Sequence, residues 1–298
     1  MSVKVHFDFK KTRDSEPNHP LAKTGFVLEG NNGSAILLIH GLTGTPHEMA
    51  FLGRFFHNKG YTVICPVLAN HNRPIEILKN TKWQDCYQSV HSALMEIVPR
   101  DGFIFVAGLS MGALLALLLA EEFPQKIKAV SCLSPTLFYD GWNVPWYRCF
   151  LPLVSHTFLK HFFYFKEDPP YGIKNEQIRK LVHKYYSKTN ISDMEGVARY
   201  GYPYFPVTLL YQLRLLVKYL TKRLKGINIP VQLIQAKEDD VTSIKNSQFI
   251  YEGISSRIKE MILLYDSYHV ITADQERDRV VAAMESFFNR IRENSKNA

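Results

Sequence analysis

Cysteine is scarce in this chain and is not clustered. Four residues, Cys65, Cys86, Cys132 and Cys149, are scattered along 298 positions with no C-x-x-C pair and no close Cys/His group. That spacing argues against a zinc site and a disulfide scaffold, and it predicts a reduced, cytoplasmic protein. No apolar run approaches the ~20 residues of a membrane span. Met1 to Pro20 is polar and charged, without the apolar core of a signal peptide. Internal repeats, low-complexity tracts and nucleic-acid-binding motifs are all missing, so nucleic acid is not an expected partner. What remains is an ordinary globular composition, 46% apolar and 21% charged. The length suits one large domain with an insertion, or two small domains.

The organising stretch is Ile104-Phe105-Val106-Ala107-Gly108-Leu109-Ser110-Met111-Gly112-Ala113-Leu114-Leu115. An apolar run ends in Gly-x-Ser-x-Gly, and an apolar run of helical length follows at once. A strand that turns into a helix this sharply strains its corner residue, and side chains at 108 or 112 would collide with the neighbouring elements. The corner Ser110 is thereby lifted clear of the sheet at a helix N-terminus, where partial positive charge favours a developing anion. This pattern is the nucleophile elbow of an α/β-hydrolase.

Around it the chain alternates strands and helices. Val3–Phe9 and Gly25–Glu29 read as strands, and Ala35–Ile39 as a strand buried on both faces. His40-Gly41-Leu42-Thr43-Gly44 follows, in the place that supplies one oxyanion donor; Leu42 N–H and Met111 N–H, the residue after Ser110, are the expected pair. His40 is expected to orient this loop, and His71 to act similarly. Thr45-Pro46-His47-Glu48 has the form of a capped helix start, with Met49, Leu52, Phe55 and Phe56 on one face and Gly60 after the last turn. Tyr61–Leu68 is a strand, 69–80 a polar loop, and Thr81 caps a helix to about Val98. Lys128–Leu133, Pro230–Ala236 and Glu260–Tyr265 are further strands. Thr242 or Ser243 caps a helix to about Ile254, and a final helix turns Phe287, Phe288 and Ile291 inward.

Three chemical groups fall just past strand ends: Ser110, the Asp239-Asp240 pair and His269. Their order, nucleophile then acid then histidine, is the one this fold uses. A serine hydroxyl needs a neighbouring base, which His269 supplies, and a carboxylate must hold the imidazole in the right tautomer. The residues alone leave the acid open between Asp239 and Asp240.

These motifs together resemble the bacterial carboxylesterase/monoacylglycerol lipase group of α/β-hydrolases. The matching stretches are His40-Gly41-Leu42-Thr43-Gly44-Thr45-Pro46, Gly108-Leu109-Ser110-Met111-Gly112, Gln235-Ala236-Lys237-Glu238-Asp239 and Ser267-Tyr268-His269-Val270-Ile271-Thr272. Tyr202-Pro203 through Pro206-Val207 is also similar. The likeness covers about residues 34–134 and 200–290. It implies a mostly parallel central sheet flanked by helices with an inserted helical cap, catalytic Ser110, Asp239 and His269, and oxyanion donors at Leu42 and Met111. Two positions depart from the group: Ala113 stands where a second glycine follows the elbow, and Asn70-His71-Asn72 replaces Gly-His-Gly.

Between 134 and 229 the alternation stops. Residues 1–134 and 229–298 are therefore read as the hydrolase core and 135–228 as the cap. Residues 136–228 hold 14 Lys+Arg against 6 Asp+Glu, the whole net charge of +8. Aromatic residues crowd the first part: Phe138, Tyr139, Trp142, Trp146, Tyr147, Phe150, Phe158, Phe162, Phe163, Tyr164 and Phe165. Most are expected to pack the insertion, with the remainder lining an acyl tunnel. The basic excess, including Lys218, Lys222, Arg223 and Lys225, is either a solvated face or a peripheral contact with anionic lipid surfaces. The expected activity is hydrolysis of carboxylic esters of apolar acyl chains, monoacylglycerols or short-to-medium acyl esters, through an acyl-enzyme and without metal or organic cofactor. A thioesterase or lysophospholipase on the same residues is the alternative, and a non-catalytic ligand-binding protein the rival of another class.

Overall fold

The computed structural model describes residues 25–97, 102–146, 154–155, 157–188 and 194–296; the expected strand at 3–9 lies outside them, as do Tyr147, Cys149 and Phe150. Nine strands are present among the described residues: β1 (Gly25–Leu28), β2 (Ser34–Ile39), β3 (Thr62–Pro66), β4 (Phe103–Leu109), β5 (Ile127–Leu133), β6 (Tyr164–Lys166), β7 (Tyr204–Pro206), β8 (Val231–Ala236) and β9 (Lys259–Leu264). Seven form one sheet in the order β1-β3-β2-β4-β5-β8-β9. Only β1 runs antiparallel, at one edge against β3. The other six are parallel, so the loops after β2, β4, β5, β8 and β9 all open at one edge.

The alternation along β2 divides the core. Ala35, Leu37 and Ile39 pack on one face, Ile36 and Leu38 on the other. The first face is covered by α3 (Trp83–Ile97) and α4 (Met111–Glu122). The second is covered by α1 (Ala50–Asn58) and the terminal helix, whose Phe287, Phe288 and Ile291 are buried. Helix α4 is buried without a break from Met111 to Ala120, because a further helix from the insertion lies over it. A short helix, α2 (Ile75–Leu78), interrupts the expected loop at 69–80, anchored by buried Ile75 and Leu78.

The insertion holds α5 (Glu176–Lys188), α6 (Met194–Tyr200) and α7 (Val207–Thr221), plus an antiparallel ribbon of β6 and β7. It is thus helical with a two-stranded element. Its own cluster is small, built on Tyr171, Ile173, Val182 and Tyr186. That size explains a departure from expectation: Phe138, Trp142, Trp146, Phe158, Phe162 and Phe163 are exposed rather than packed. After it come α8 (Lys245–Gly253) and α9 (Arg277–Lys296).

The expected helix start at Thr45 is also rearranged. Pro46–Met49 forms a 3-10 turn before α1, and the Thr45 hydroxyl donates instead to the Ala198 carbonyl at 2.8 Å. Glu48 turns back to accept from Gly41 N–H at 3.2 Å. The Thr242 hydroxyl is spent on Asp239, whereas the Ser243 hydroxyl donates to Asp140 and also accepts Lys245 N–H at 3.3 Å, capping the start of α8.

Candidate active site

Ser110 sits between β4 and α4 with φ 57° and ψ −118°. A non-glycine residue there carries strain of about 1–3 kcal/mol. The flanking glycines make it feasible: a Cβ at Gly108 would lie 2.1 Å from the Gly112 carbonyl oxygen, and one at Gly112 would lie 2.3 Å from Ile39 O. Ser110 N–H donates to Leu133 O at 2.8 Å, tying the corner to β5. The Ser110 hydroxyl contacts Thr136 Oγ1 at 2.9 Å.

Asp239 and His269 are brought together from the loops after β8 and β9. His269 Nδ1 lies 2.9 Å and 3.1 Å from the two Asp239 oxygens. Asp239 also accepts from Val241 N–H, Thr242 N–H, the Thr242 hydroxyl and Gln235 Nε2, between 2.8 and 3.1 Å. Both partners are buried. Burial pushes the imidazole pKa down, but the Asp239 charge and hydrogen bond, with Asp240 and Glu48 nearby, lift it above the ordinary histidine value. Asp240 points elsewhere. Its oxygens accept from Gly172 N–H of the insertion at 3.1 Å and from His269 N–H at 3.3 Å. Burial, opposed by His269 and reinforced by Asp239, raises its pKa to about 6.

Leu42 lines the pocket into which Ser110 opens, and Met111 follows Ser110 directly. Met111 is the first residue of α4, so its N–H is among those with no acceptor inside the helix. His40 and His71 brace the opposite loop: His40 Nδ1 meets Gly41 O at 3.0 Å, and His71 Nε2 meets Leu42 O.

Ser110, His269 and Leu42 open into one pocket. Ile178, Leu181 and Val182 of α5, with Phe51 and Val270 of the core, give it an apolar wall. Sequence reasoning missed several polar residues here. Thr136 could have been found as the third residue past β5, the neighbour of the elbow strand. Glu48 has the spacing of a helix cap, yet it lines the pocket; burial raises its pKa to about 7 against the pull of Gly41 N–H and His269. Glu167, which follows β6, lines it too, raised to about 8 by burial and by Asp240 and Glu48. No local pattern announces Glu167, because its partners are distant in sequence.

A thermostable monoacylglycerol lipase of Bacillus sp. (strain H-257) is 30% identical over 265 residues, spanning 87% of this chain and 91% of its own. A carboxylesterase of Bacillus subtilis (strain 168) is 25% identical over 273 residues, spanning 89% and 96%. A structure reported for LipS and LipT, two metagenome-derived lipolytic enzymes, superposes with a TM-score of 0.71 at 26% identity, covering 89% of this chain and 96% of that one. The monoacylglycerol lipase of Paleococcus ferrophilus gives the same TM-score at 18% identity, covering 89% and 97%, a likeness of fold. The family model described as Serine aminopeptidase, S33, matches residues 30–276. With four-fifths of its length under that match, and with a mostly parallel sheet carrying a serine elbow, the chain belongs to this family of α/β-hydrolases.

Proposed function

We propose that the protein is a serine hydrolase that cleaves carboxylic esters of apolar acyl chains, monoacylglycerols or short-to-medium acyl esters. The observation that carries this reading is the strained Ser110 corner at the start of α4, sharing one pocket with the His269–Asp239 pair. His269 Nε2 takes the Ser110 proton as the hydroxyl attacks the ester carbonyl, and Asp239 stabilises the imidazolium. Leu42 and Met111 N–H groups receive the oxyanion. The imidazolium then protonates the departing alcohol, leaving an acyl-enzyme that an activated water hydrolyses. The apolar wall supports an acyl chain rather than a charged peptide terminus as the group held beside Ser110. The names of the two Bacillus relatives support the same substrate class. Three buried, free cysteines, Cys65, Cys86 and Cys132, fit a cytoplasmic setting.

A fluorophosphonate probe should label Ser110, and Ser110→Ala should lose ester hydrolysis by several orders of magnitude while staying folded. Turnover unchanged in Ser110→Ala ends the proposal. A screen over p-nitrophenyl esters, monoacylglycerols, lysophospholipids and acyl-CoAs ranks the esterase reading against the lysophospholipase and thioesterase readings. A folded wild type inactive on all of them favours the ligand-binding rival.

A peripheral role at anionic lipid surfaces is favoured by one patch. Phe158 and Phe162 are 74% and 71% exposed, Leu159 and Phe163 are exposed beside them, and exposed Lys166 and the Lys160 ammonium add positive charge. Apolar side chains beside cations suit an anionic bilayer. Sedimentation with phosphatidylglycerol vesicles should fall as salt rises and should weaken in Phe158→Ser/Phe162→Ser; no sedimentation at low salt removes this role.

A further inference from the structure

The pocket is also lined by two cations that the hydrolytic reading does not use. Arg199, near the close of α6, and Arg277, the first residue of α9, both line it. One comes from the insertion and the other from the core. Each guanidinium lies over an aromatic ring that also lines the pocket: Arg199 is 5.4 Å from the Tyr200 centroid, and Arg277 is 4.5 Å from that of Phe51. Arg54, one turn beyond Phe51 on α1, stands within electrostatic range of Arg277 and of His47, another lining residue. His47 is held down to about 4, by burial first and then by Arg199 and Arg54, so it is neutral at ordinary pH.

Asp274 and Glu276, the acidic residues just before Arg277 in sequence, are engaged elsewhere. Glu276 bonds Arg279 Nη1 and the Ser267 loop. Asp274 accepts from four backbone N–H groups, those of Lys174, Asn175, Tyr268 and Gln275. Among the described residues, neither Arg199 nor Arg277 is ion-paired with a carboxylate, whereas Arg223, Arg279 and Arg290 are. Stacking on a ring orients a guanidinium and leaves its N–H fork free for a planar anion or phosphate. Two guanidiniums that line one substrate pocket, neither ion-paired with a carboxylate among the described residues, favour a negative ligand there.

We propose that Arg277 and Arg199 form an anion subsite of this pocket, holding a carboxylate or phosphate at the end of the ester remote from the scissile bond. The proposal rests on the reading of Ser110 as the nucleophile, and it makes the two arginines specificity-determining residues.

Two matched pairs of substrates test it. The first is the p-nitrophenyl ester of hexanedioic acid against its methyl-capped, neutral counterpart. The second is 1-acylglycerol 3-phosphate against the 1-monoacylglycerol of the same chain. Wild type should favour the anionic member of at least one pair by about tenfold in kcat/KM, expressed in KM, as expected for charge-assisted hydrogen bonds. Preference in the first pair places the anion on the acyl portion; preference in the second places it on the alcohol. Arg199→Gln/Arg277→Gln should bring the ratio towards one, and Arg277→Lys should keep part of it. Equal rates within both pairs in wild type, or a ratio unmoved in the double variant, overturns the subsite. Fluorophosphonate labelling of wild type and turnover of the neutral esters report on the hydrolase reading separately. Should the double variant fail to fold, Ser110→Ala protein is titrated with hexanedioate and hexanoate. Tighter binding of the dianion, weakened by salt, supports the subsite, and equal or weaker binding overturns it.

Discussion

His40 donates its Nδ1 proton to the Gly41 carbonyl 3.0 Å away, because its Nε2 is occupied in accepting Leu68 N–H at 3.1 Å. That carbonyl belongs to the same planar, trans peptide unit as Leu42 N–H, and the two dipoles point in opposite directions. Fixing one therefore aims the other. Burial, with His71 beside it, keeps the His40 pKa well below the usual value, so the ring stays neutral and the donor–acceptor split is preserved. The Ser110 carbonyl is held in the same manner by Ala113 N–H at 3.1 Å, which aims Met111 N–H.

His40→Ala should lower kcat by about 10–10³-fold, near the effect of removing an oxyanion donor. Fluorophosphonate labelling should slow but remain at Ser110. Steady-state kinetics with a change in KM alone would show that His40 does not position the donor.

Asp239→Asn should cost about 10⁴ in kcat, since an amide can stabilise the wrong tautomer and cannot stabilise an imidazolium. Asp240→Asn should cost far less, because its amide oxygen can still accept from Gly172 or His269 N–H. Measuring both variants with one substrate gives the ranking, and the reverse order would transfer the acid to Asp240.

The pH dependence follows from the same pair. His269 acts as base only when neutral, and its pKa is raised, so the acid limb of kcat/KM should lie above that of an ordinary imidazole. The raised pKa also contributes stability that is present at low pH and lost as pH rises through it. In Asp239→Asn the limb should move to lower pH. A limb unmoved in a pH–rate profile of that variant would assign it to another group.

Legibility varied with the range of the interactions. The Ser110 corner could be read because its glycines answer a local collision, and Ser110, Asp239 and His269 could be placed because each follows a recognisable strand. The choice of Asp239 over Asp240 needed the resemblance, and its geometry comes from four hydrogen bonds besides that to His269. Glu48 shows how a local rule misleads: the Thr-Pro-x-Glu spacing fits a capping box, but Thr45 is drawn to Ala198, 153 residues away, and Glu48 to Gly41. Most of the insertion's aromatics were expected inside, yet six stand exposed because the insertion packs largely against the core.

Glu167 should make stability fall with rising pH. Its folded pKa of about 8 lies above the unfolded value, so between the two the native state holds a proton that the unfolded chain has released, and stability declines as pH rises through that window. Tyr186 has one hydroxyl proton and lies 2.8 Å from Tyr200 O and 3.3 Å from Glu167, which suits a protonated Glu167. Glu167→Gln should therefore flatten the decline in thermal midpoint between pH 6 and 9. Parallel curves for variant and wild type would rule this out.

The insertion is knotted into the loops beneath it at residues far apart in its own sequence. Tyr202 N–H donates to Thr43 O at 3.0 Å beside the Leu42 loop, and Val270 N–H donates to Gly172 O at 2.8 Å beside His269. Asp240 bridges Gly172 and His269. A lid of this kind is not an interchangeable cassette. A chimera that grafts a relative's insertion between β5 and β8 would import foreign lengths at both knots and disturb the donor loop and the base together. A change of length should be borne best where neither knot is stretched, as near the exposed Phe158–Phe163 turn, so the outer surface can be remodelled by design while the inner seams stay fixed.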